Sequence, residues 1–580
     1  MDYFIKNIVS LLKEKTNLQE DEIKRLIEIP PDFKMGDYAF PCYSLSKTLK
    51  KAPNIIATEL SGALQAFINK NAPESLFFKG ELRGITEIKA VGPYINFFVN
   101  KVILSEITLK TIFEERDRYG NKSIGKGKTV VIDFSSPNIA KHLAVHHLRS
   151  ALIGNAIYRI YKALGYTCVG INHLGDWGTQ FGQLIVAYKK WGSENAHKSY
   201  TVTDLNNLYV KFHQEAEKDP GLEDEARAWF KKLESGDSEA KELWQYFKDI
   251  SLKEFQKIYD MLGIHFDAFI GESFYNTMVE DTIMRIKEKG LARVSEQALI
   301  VDLEPYNMPP CLLRKKDDTT LYATRDIAAA EYRKKTYDFD KMIYVVGSEQ
   351  KLHFHQFFKV LELMGYDWAN RCVHVDFGLM KFKDGKMSTR KGRVVLLEDL
   401  LVEAIERIRK IIEEKNPSLE NKESVSKDVG IGAVIFADLS TKRSKDVVFD
   451  WDEVLNFEGE TGPYIQYTHA RLCSILRKYG RPVTADINFE LLKEDETVIL
   501  IRNLGQFPSV ILKAAEFYEP SLICNYLIDV CGSLNRFYNA HRVLSDDEEL
   551  TKARILLVDA TRQVIKNGLN ILGISAPDQM

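Results

Sequence analysis

The chain has 580 residues, which at roughly 150 residues per domain allows about four domains and excludes a single small module. Hydrophobic residues make up 45% and charged residues 28%, values that exclude a core-poor disordered chain. The 79 lysine and arginine residues nearly balance the 82 acidic ones, for a formal net charge of -3. Overall charge therefore attracts neither nucleic acid nor an anionic membrane, and a polyanionic partner must be bound by local patches.

The cysteines and the N-terminus indicate a cellular compartment. The seven cysteines are odd in number, scattered and never spaced as C-x-x-C, which disfavours a disulfide framework or a zinc ribbon. Lys6, Lys13, Glu14 and Lys15 stand where a signal peptide would need its apolar run. No apolar stretch approaches the roughly 18 residues of a membrane-spanning helix. We therefore expect a cytoplasmic protein without a membrane partner.

The N-terminal region, 1–108, is predicted to be a small α+β module. A helical pattern that includes Ile5, Ile8 and Leu11 opens it, and the strand-like run EIKAVGPYINFFVN ends near its last residues. The polar connector GNKSIGKGK follows at 120–128. It resembles a P-loop, but Gly127 replaces the Ser or Thr that would hold magnesium, and a strand-like run rather than a helix comes next. We interpret the connector as a domain boundary.

The middle region, 109–455, alternates strand-like runs with helical segments, which predicts an α/β core with a mainly parallel sheet. The predicted strands are TVVIDF (129–134), YTCVGIN (166–172), MIYVVG (342–347) and CVHVDF (372–377). The long separation between the second and third strands predicts insertions at about 190–300.

Strand signals vanish after 455, and the apolar spacing of Leu557, Ala560 and Val564 predicts an all-helical domain over 456–580.

The first βα unit carries the clearest chemical signal. TVVIDF is followed by the turn SSPNIAKHLAV and then by a helix, so His146 and His147 fall near a helix N-terminus at the carboxyl end of a parallel strand. Unpaired N–H groups and the helix dipole attract phosphate at such a position. Simple polar capping of the helix is an alternative interpretation. A zinc site formed by His142, His146 and His147 is a third, although carboxylate and cysteine ligands are missing from the pattern.

A second signal is the segment KFKDGKMSTRKGR (381–393), which has six basic residues and one aspartate. A basic loop that contains glycine is suited to close over a leaving polyphosphate. A solvated loop also carries several lysines, so the charge alone leaves both interpretations open.

Together these segments resemble the class I aminoacyl-tRNA synthetases, and within them the arginyl-tRNA synthetase family. SSPNIAK followed by LRS is similar to the surroundings of the family's His-x-Gly-His signature, and Lys386-Met387-Ser388-Thr389-Arg390 is similar to its Lys-Met-Ser-Lys-Ser signature. Further similar strings are HLGDWGTQFG (173–182), LYATRDIAAA (321–330), MIYVVGSEQKLHFHQFF (342–358) and GETGPYIQYTHAR (459–471). The resemblance extends from the N-terminal module to the final LGISAP.

The resemblance implies a Rossmann-like catalytic core and a set of site residues. The implied catalytic residues are His147, Lys386 and Ser388. The implied ATP-binding residues are His146, His147, Gly175, Asp176, His353, Lys386 and Met387. The implied arginine-binding residues are Asp133, Ser136, Asn138, Tyr322, Asp326 and Gln350. ATP is expected as a substrate together with Mg²⁺, and no protein-bound zinc or other metal is expected.

The arginine pocket agrees with the chemistry of the substrate. A guanidinium is a planar, permanently charged group that carboxylates recognise best. Tyr322 and Asp326 are four residues apart, so on a helix they face the same side. His353 and the neighbouring His355 could equally be histidines of a helix face or of the core.

The resemblance also implies RNA contacts outside the core. In the N-terminal module, Tyr94 and Asn96 suit stacking and hydrogen bonding to an exposed base, although a tyrosine buried in a small core is the alternative. Tyr464 and Arg471 fall in a region similar to the family's anticodon-binding domain. The expected partners are L-arginine, ATP and tRNA(Arg), and the enzyme is expected to be a monomer. Members of the family generally need bound tRNA before they activate the amino acid.

Two departures from the family pattern keep other functions open. Ala144, Val145, His146 and His147 occupy the His-x-Gly-His positions, so the first histidine is lost and the glycine is replaced. Thr389 replaces the second lysine of the other signature. The alternatives are a non-catalytic RNA-binding relative, a nucleotidyl transferase, and a synthetase for another amino acid. Asp133 and Asp326 disfavour the last.

Overall fold

The computed structural model describes residues 2–30, 32–71, 84–192, 200–315, 322–383 and 395–580. The chain forms two compact units. The first comprises Met1–Tyr119, Leu472–Pro508 and Asp529–Ile565, and the second comprises Gly120–Arg471, Ser509–Ile528 and Lys566–Met580. Among the described residues, no helix combines the length and apolar composition needed to cross a lipid bilayer.

The N-terminal module of the first unit has a three-stranded sheet. Its elements are α1 (Asp2–Thr16), α2 (Glu20–Leu26), β1 (Tyr38–Pro41), α3 (Ser46–Leu49), α4 (Pro53–Asn71), β2 (Ile85–Val91), β3 (Tyr94–Val99) and α5 (Lys101–Glu115). The central strand β3 pairs antiparallel with both β1 and β2. Ile8, Leu12 and Phe97 are fully buried, as the apolar spacing of α1 predicts. The predicted α+β module is confirmed.

The second unit contains the remaining strands and most of the remaining helices. The strands are β4 (Thr129–Asp133), β5 (Thr167–Asn172), β6 (Ala268–Phe269), β7 (Ala292–Ser295), β8 (Ala298–Val301), β9 (Cys311–Arg314), β10 (Lys341–Gly347), β11 (Cys372–Phe377), β12 (Met380–Phe382) and β13 (Val447–Phe449). The helices before β13 are α6 (Leu148–Ala163), α7 (Thr179–Ala187), α8 (Val202–Ala216), α9 (Gly221–Ser235), α10 (Ser238–Leu262), α11 (Glu272–Tyr275), α12 (Val279–Glu288), α13 (Tyr322–Tyr337), α14 (Lys351–Leu363), α15 (Leu397–Lys415) and α16 (Lys422–Leu439). The short helix α17 (Trp451–Val454) follows β13.

The main sheet is parallel and five-stranded, in the order β11-β10-β4-β5-β6. Val130, Val131 and Ile132 of β4 are all fully buried, as expected for a strand covered on both faces. From β4 the chain continues to β5 on one side and returns later to β10 on the other. Ligands bind at such a switch point, beyond the carboxyl ends of the strands. All four predicted strands lie in this sheet, whereas the two-residue β6 had no detectable sequence signal.

Long insertions separate β5 from β10. They include α7–α10 and an antiparallel sheet in the order β7-β8-β9. The longest inserted helix, α10, begins where the Asp237 carboxylate accepts the Ala240 N–H at 3.0 Å, and it ends at Gly263 with a φ of 64°. A side-chain cap and a left-handed glycine are common helix boundaries.

The C-terminal part of the chain is helical. Its helices are α18 (Gly462–Tyr479), α19 (Asp495–Phe517), α20 (Ser521–Ala540) and α21 (Glu548–Leu572). Residues 450–580 are all described and contain no strand. Leu557, Val564 and Ile565 are fully buried, so the apolar spacing of α21 predicted the buried face correctly. The predicted α/β core with a helical C-terminal region is confirmed.

Candidate active site

The turn after β4 has an unusual backbone conformation. Ser135, Ser136 and Ala140 have φ values of 73°, 51° and 61°, in the left-handed region that non-glycine residues seldom adopt. The Ser150 hydroxyl of α6 accepts the Ser135 N–H at 2.9 Å and donates to the Val345 carbonyl of β10 at 2.7 Å. One side chain therefore fastens the turn to both strands of the switch point.

Asp133, at the end of β4, is buried and fully paired. Its Oδ2 lies 2.8 Å from Nη1 of Arg333, and its Oδ1 accepts the Ser136 hydroxyl at 3.0 Å. Arg333 belongs to α13 and is itself buried, with a second nitrogen 3.4 Å from His173 Nδ1. The carboxylate predicted to bind a substrate guanidinium thus already holds a guanidinium of the chain. Direct contact of Asp133 with arginine stays a prediction, and Ser136 stands next to it as a hydrogen-bond donor.

Asp326 has a different environment in the second turn of α13. Its carboxylate is 24% exposed, and Oδ2 lies 2.6 Å from Nε2 of His353. Within the described ranges, no partner contacts Oδ1. Tyr322 is one turn earlier and 64% exposed, with the Arg325 guanidinium 5.5 Å from its ring centre. Asp326 is therefore available to a ligand, and Tyr322 lies near it as the helical spacing predicts.

Glu272 is an acidic residue of this region that sequence reasoning missed. Its Oε2 accepts from Nη1 of Arg325 at 2.8 Å. The pKa of Glu272 is raised to about 7, chiefly by burial; Arg325 opposes the rise, and the negative charges of Asp326 and Asp176 contribute to it. These three carboxylates therefore influence one another, and two of them, Glu272 and Asp176, are paired with Arg325 and Lys248.

The HLGDWG loop after β5 lies directly against the turn after β4. The Gly175 N–H donates to the Pro137 carbonyl at 3.0 Å, and the Ile139 N–H donates to the Gly175 carbonyl at 3.2 Å. A Cβ at position 175 would lie 2.0 Å from Oδ1 of Asn138, so a larger residue would require the Asn138 side chain to move. The Asn138 residue is exposed, which leaves it accessible to a ligand.

Asp176 holds this loop in place. Its carboxylate is completely buried and accepts Lys248 Nζ at 2.8 Å, the Ser273 N–H at 2.9 Å and the Ser273 hydroxyl at 2.9 Å. Lys248 belongs to α10, so an inserted helix supports the loop. Contact of Asp176 with ATP stays a prediction. The three donors that the carboxylate already has disfavour such a contact.

The histidine pair lies in the 3₁₀ turn Val145–His147 that leads into α6. The two ring centres are 4.0 Å apart. The Ala144 N–H donates to Nδ1 of His147 at 3.0 Å, so the proton of a neutral ring resides on Nε2. The pKa of His147 is lowered to about 4, chiefly by burial and in part by the neighbouring His146. His147 is therefore a neutral hydrogen-bond donor at pH 7.

The structure does not favour the zinc alternative. Both ring nitrogens of His142 have partners: Nδ1 lies 2.6 Å from Glu254 and Nε2 lies 3.1 Å from Thr203. Within the described residues, His142, His146 and His147 do not bring their ring nitrogens together as metal ligands.

Arg149, which follows the histidine pair, points into the core instead of toward a phosphate. Its Nε donates to Asp438 at 2.8 Å, and Nη1 donates to the carbonyls of Gly378 at 2.7 Å and Lys445 at 2.9 Å. Both members of the ion pair are buried. Arg149 thereby fixes the backbone just beyond β11. Lys386, Met387 and Ser388 come shortly afterwards in the chain and lie outside the described residues.

The remaining predicted residues differ in accessibility. Gln350 is exposed at the start of α14, directly after β10. Tyr94 is half-buried, with its ring centre 6.0 Å from that of Tyr43. Asn96 is only 3% exposed and donates to the Met35 carbonyl at 2.6 Å, which disfavours direct contact with a base. In α18, Tyr464 is half-buried and Arg471 is exposed.

The chain is similar to known proteins along its whole length. The sequence model described as tRNA synthetases class I (R), catalytic domain, matches residues 108–451. The DALR anticodon binding domain matches 465–580, and the arginyl tRNA synthetase N terminal domain matches 2–99. The arginine–tRNA ligase of Clostridium botulinum (strain Alaska E43 / Type E3) is 52% identical over 100% of both chains. The chain belongs to the arginine–tRNA ligase family.

Solved structures show the same relationship. The arginyl-tRNA synthetase of Thermus thermophilus superposes with a TM-score of 0.81 at 26% identity, covering 100% of this chain and 99% of that one. The Plasmodium falciparum enzyme gives a TM-score of 0.80 at 25% identity with the same coverage. The predicted family, fold class and class of enzyme are thereby confirmed.

Proposed function

We propose that the chain activates L-arginine with ATP and transfers the arginyl group to the 3′ end of tRNA(Arg). The observation that carries this function is Asp326, a half-exposed carboxylate with one oxygen available among several negative charges. His147 is neutral and lies in the turn that leads into α6. In the chain, this turn follows β4, a strand of the switch point. Family membership supports the same reaction.

The arginine side chain would bind at the start of α13. Asp326 pairs with the guanidinium, and the exposed Tyr322 ring covers its planar face. Asp133 and Ser136 form a fixed wall, because Arg333 already neutralises Asp133. Asn138 and Gln350 are both exposed amides and would hold the α-carboxylate and α-amino groups. Asp326 is accordingly the group that selects for positive charge.

Adenylate formation needs no covalent enzyme intermediate. A carboxylate oxygen of arginine attacks the α-phosphorus of ATP in line, the bond to the β-phosphate oxygen breaks, and pyrophosphate leaves. His147 Nε2–H would donate to the phosphate as charge develops, which is electrostatic stabilisation by a preorganised donor. Lys386 and Ser388 would neutralise and position the leaving pyrophosphate, with Met387 beside the nucleotide, and ATP enters with Mg²⁺. Gly175 lets the HLGDWG loop approach the nucleotide, Asp176 holds that loop, and His146 lines the phosphate side.

Transfer uses the tRNA as nucleophile. A terminal ribose hydroxyl attacks the carbonyl carbon of the adenylate, and AMP leaves with the bonding electrons. Tyr94 in 1–108 and Tyr464 and Arg471 in 456–580 are proposed to contact the tRNA, and 109–455 is proposed as the catalytic region. We assign Asn96 a supporting place in the same strand. A monomer acting in the cytoplasm completes the proposal.

Aminoacylation of bulk tRNA with a panel of amino acids tests the function. Arginine alone should be incorporated, and ATP–pyrophosphate exchange should be near background until cognate tRNA is added, as is general in the family. Vigorous exchange without tRNA would contradict this coupling. Absence of both reactions would favour the non-catalytic RNA-binding relative, to which Ala144 and His146 point.

A further inference from the structure

Two histidines of α14, His353 and His355, are two residues apart and have different environments. His355 is exposed. His353 is partly buried and directs Nε2 to Oδ2 of Asp326, 2.6 Å away. The family resemblance implies an ATP contact for His353 only, whereas the helical pattern alone does not distinguish the two histidines; the structure does.

The ring of His353 is held by aromatic packing. Its centre lies 5.5 Å from those of both Phe354 and Phe357. Phe354 stacks in turn on His374, at 4.2 Å between ring centres, and Nε2 of His374 lies 2.9 Å from the Val346 carbonyl of β10. The imidazole is therefore attached through packed rings to the central sheet, and it is a rigid support for the carboxylate that it contacts.

The chemistry of the partner distinguishes Asp326 from its neighbours. Asp133 and Glu272 are each paired with an arginine of the chain, Arg333 and Arg325 respectively. A guanidinium offers several N–H groups and can engage both oxygens of a carboxylate, whereas Nε2 of an imidazole offers one N–H. Asp326 is consequently oriented by His353 without being saturated, because Oδ1 has no partner among the described residues.

We propose that His353 is a positioning residue for arginine recognition: it holds Asp326 in the rotamer that receives the substrate guanidinium, and it does not contact ATP. The inference rests on the proposed function and replaces the sequence-based prediction of an ATP contact. Without His353, the Asp326 side chain can adopt other rotamers. Arginine binding must then fix the Asp326 rotamer that the imidazole fixes in the unmodified chain, and this weakens binding. The loss falls on arginine affinity rather than on the phosphate chemistry.

The test measures steady-state kinetics of aminoacylation for His353→Ala, His353→Gln and His355→Ala. Loss of a hydrogen bond to a charged group weakens binding by about tenfold or more. We expect His353→Ala to raise the KM for arginine by about that factor, with the KM for ATP and kcat changed by less than about twofold. His353→Gln keeps an N–H donor and should recover most of the affinity. The matched control His355→Ala should equal the unmodified enzyme.

Three results would overturn the inference. One is a raised KM for ATP with an unchanged KM for arginine in His353→Ala, which would restore the ATP assignment. The second is an equal loss in His353→Gln and His353→Ala. The third result applies if His353→Ala does not fold. The test then depends on His353→Gln, and a large rise in the KM of this variant for arginine would overturn the inference. Failure of the unmodified chain to charge arginine would instead reject the proposed function.

Discussion

Asp176 and Asp326 are aspartates of the same unit with opposite surroundings. Asp176 is completely buried and accepts from Lys248 and from two donors of Ser273. Asp326 is partly exposed and has one described partner, His353. A buried charge is stable only when hydrogen-bond and ion-pair partners satisfy it, so we assign Asp176 a structural role. The incomplete pairing of Asp326 leaves capacity for a ligand.

The same distinction applies to ion pairs. Arg149 and Asp438 are both buried, and Arg149 also donates to two carbonyls. The His353–Asp326 pair is partly exposed and joins the N-terminal parts of α13 and α14. Substitutions should therefore distinguish the two pairs. A substitution in the Arg149–Asp438 pair should reduce stability, and a substitution in the His353–Asp326 pair should weaken substrate binding.

The largest expected effect is on the buried pair. Arg149→Met leaves Asp438 without its cation, and breaking a buried pair in this way costs about 3–5 kcal/mol. Chemical denaturation should show a reduced free energy of unfolding of that size. In the double variant Arg149→Met, Asp438→Leu, part of the stability should return. An unchanged unfolding transition in the single variant would remove the architectural role of the pair.

Asp326→Asn should instead leave the fold intact and abolish most arginine binding. A neutral amide cannot pair with the guanidinium charge, and we expect kcat/KM for arginine to fall about a thousandfold, within the range for a lost charge partner. Asp338→Asn is a matched control on the residue after α13, with its side chain 91% exposed, and should behave like the unmodified chain. A normal KM for arginine in Asp326→Asn would reject the pocket.

His147→Ala tests whether the histidine turn acts on phosphate. Loss of a preorganised donor typically costs about 10²–10³ in rate. We expect the turnover number for adenylate formation to fall about a hundredfold, with little change in the KM for arginine. Lys386→Ala should behave in the same way. Normal turnover in both variants would mean that the chemistry lies elsewhere.

Restoring the family signature should have a smaller effect in the opposite direction. In Ala144→His, His146→Gly, the first histidine returns and the bulky ring beside His147 is removed. A regained hydrogen bond to a charged phosphate supports a roughly tenfold lower KM for ATP. The single variants show which position contributes. If the double variant binds ATP no better, the departure is neutral.

The smallest effect concerns pH. The pKa of His147 is lowered to about 4 in the folded chain, whereas in the unfolded chain it has its ordinary value of roughly 6.5. As the pH falls, His147 is therefore protonated in the unfolded chain before it is protonated in the folded chain. The stabilisation is complete above pH 6.5 and is lost as the pH falls through about 4. His147→Gln should therefore shift the acid-unfolding midpoint down by about a few tenths of a pH unit. An unchanged midpoint would contradict the lowered pKa.

Local patterns were sufficient to predict the elements that position the site. The β-branched runs gave β4, β5, β10 and β11, because strands buried on both faces are nearly continuous apolar segments. Helical spacing placed Tyr322 near Asp326. The family strings supplied residue roles, and those roles remain predictions at each position.

Pairings between distant segments could not be predicted in this way. Nothing in the sequence near Asp133 indicates that Arg333 will neutralise it, and nothing near Asp176 indicates Lys248, since tertiary packing brings each pair together. Glu272 follows the two-residue strand β6, which is too short to show periodicity. These misses all concern which charges of the chain neutralise one another, and that determines which charges remain for a substrate.

The three left-handed residues of the turn after β4 have a consequence for the rigidity of this turn. Each such residue stores about 1–3 kcal/mol of backbone strain, and glycine would relieve it at Ser135, Ser136 or Ala140. At Ala140 this relief removes no side-chain hydrogen bond, whereas glycine at Ser135 or Ser136 would also remove the bond to Tyr259 or to Asp133. Glycine would also enlarge the range of shapes open to the segment that carries Asn138. The non-glycine residues thus restrict the turn to a narrower set of conformations, and backbone strain accompanies that restriction.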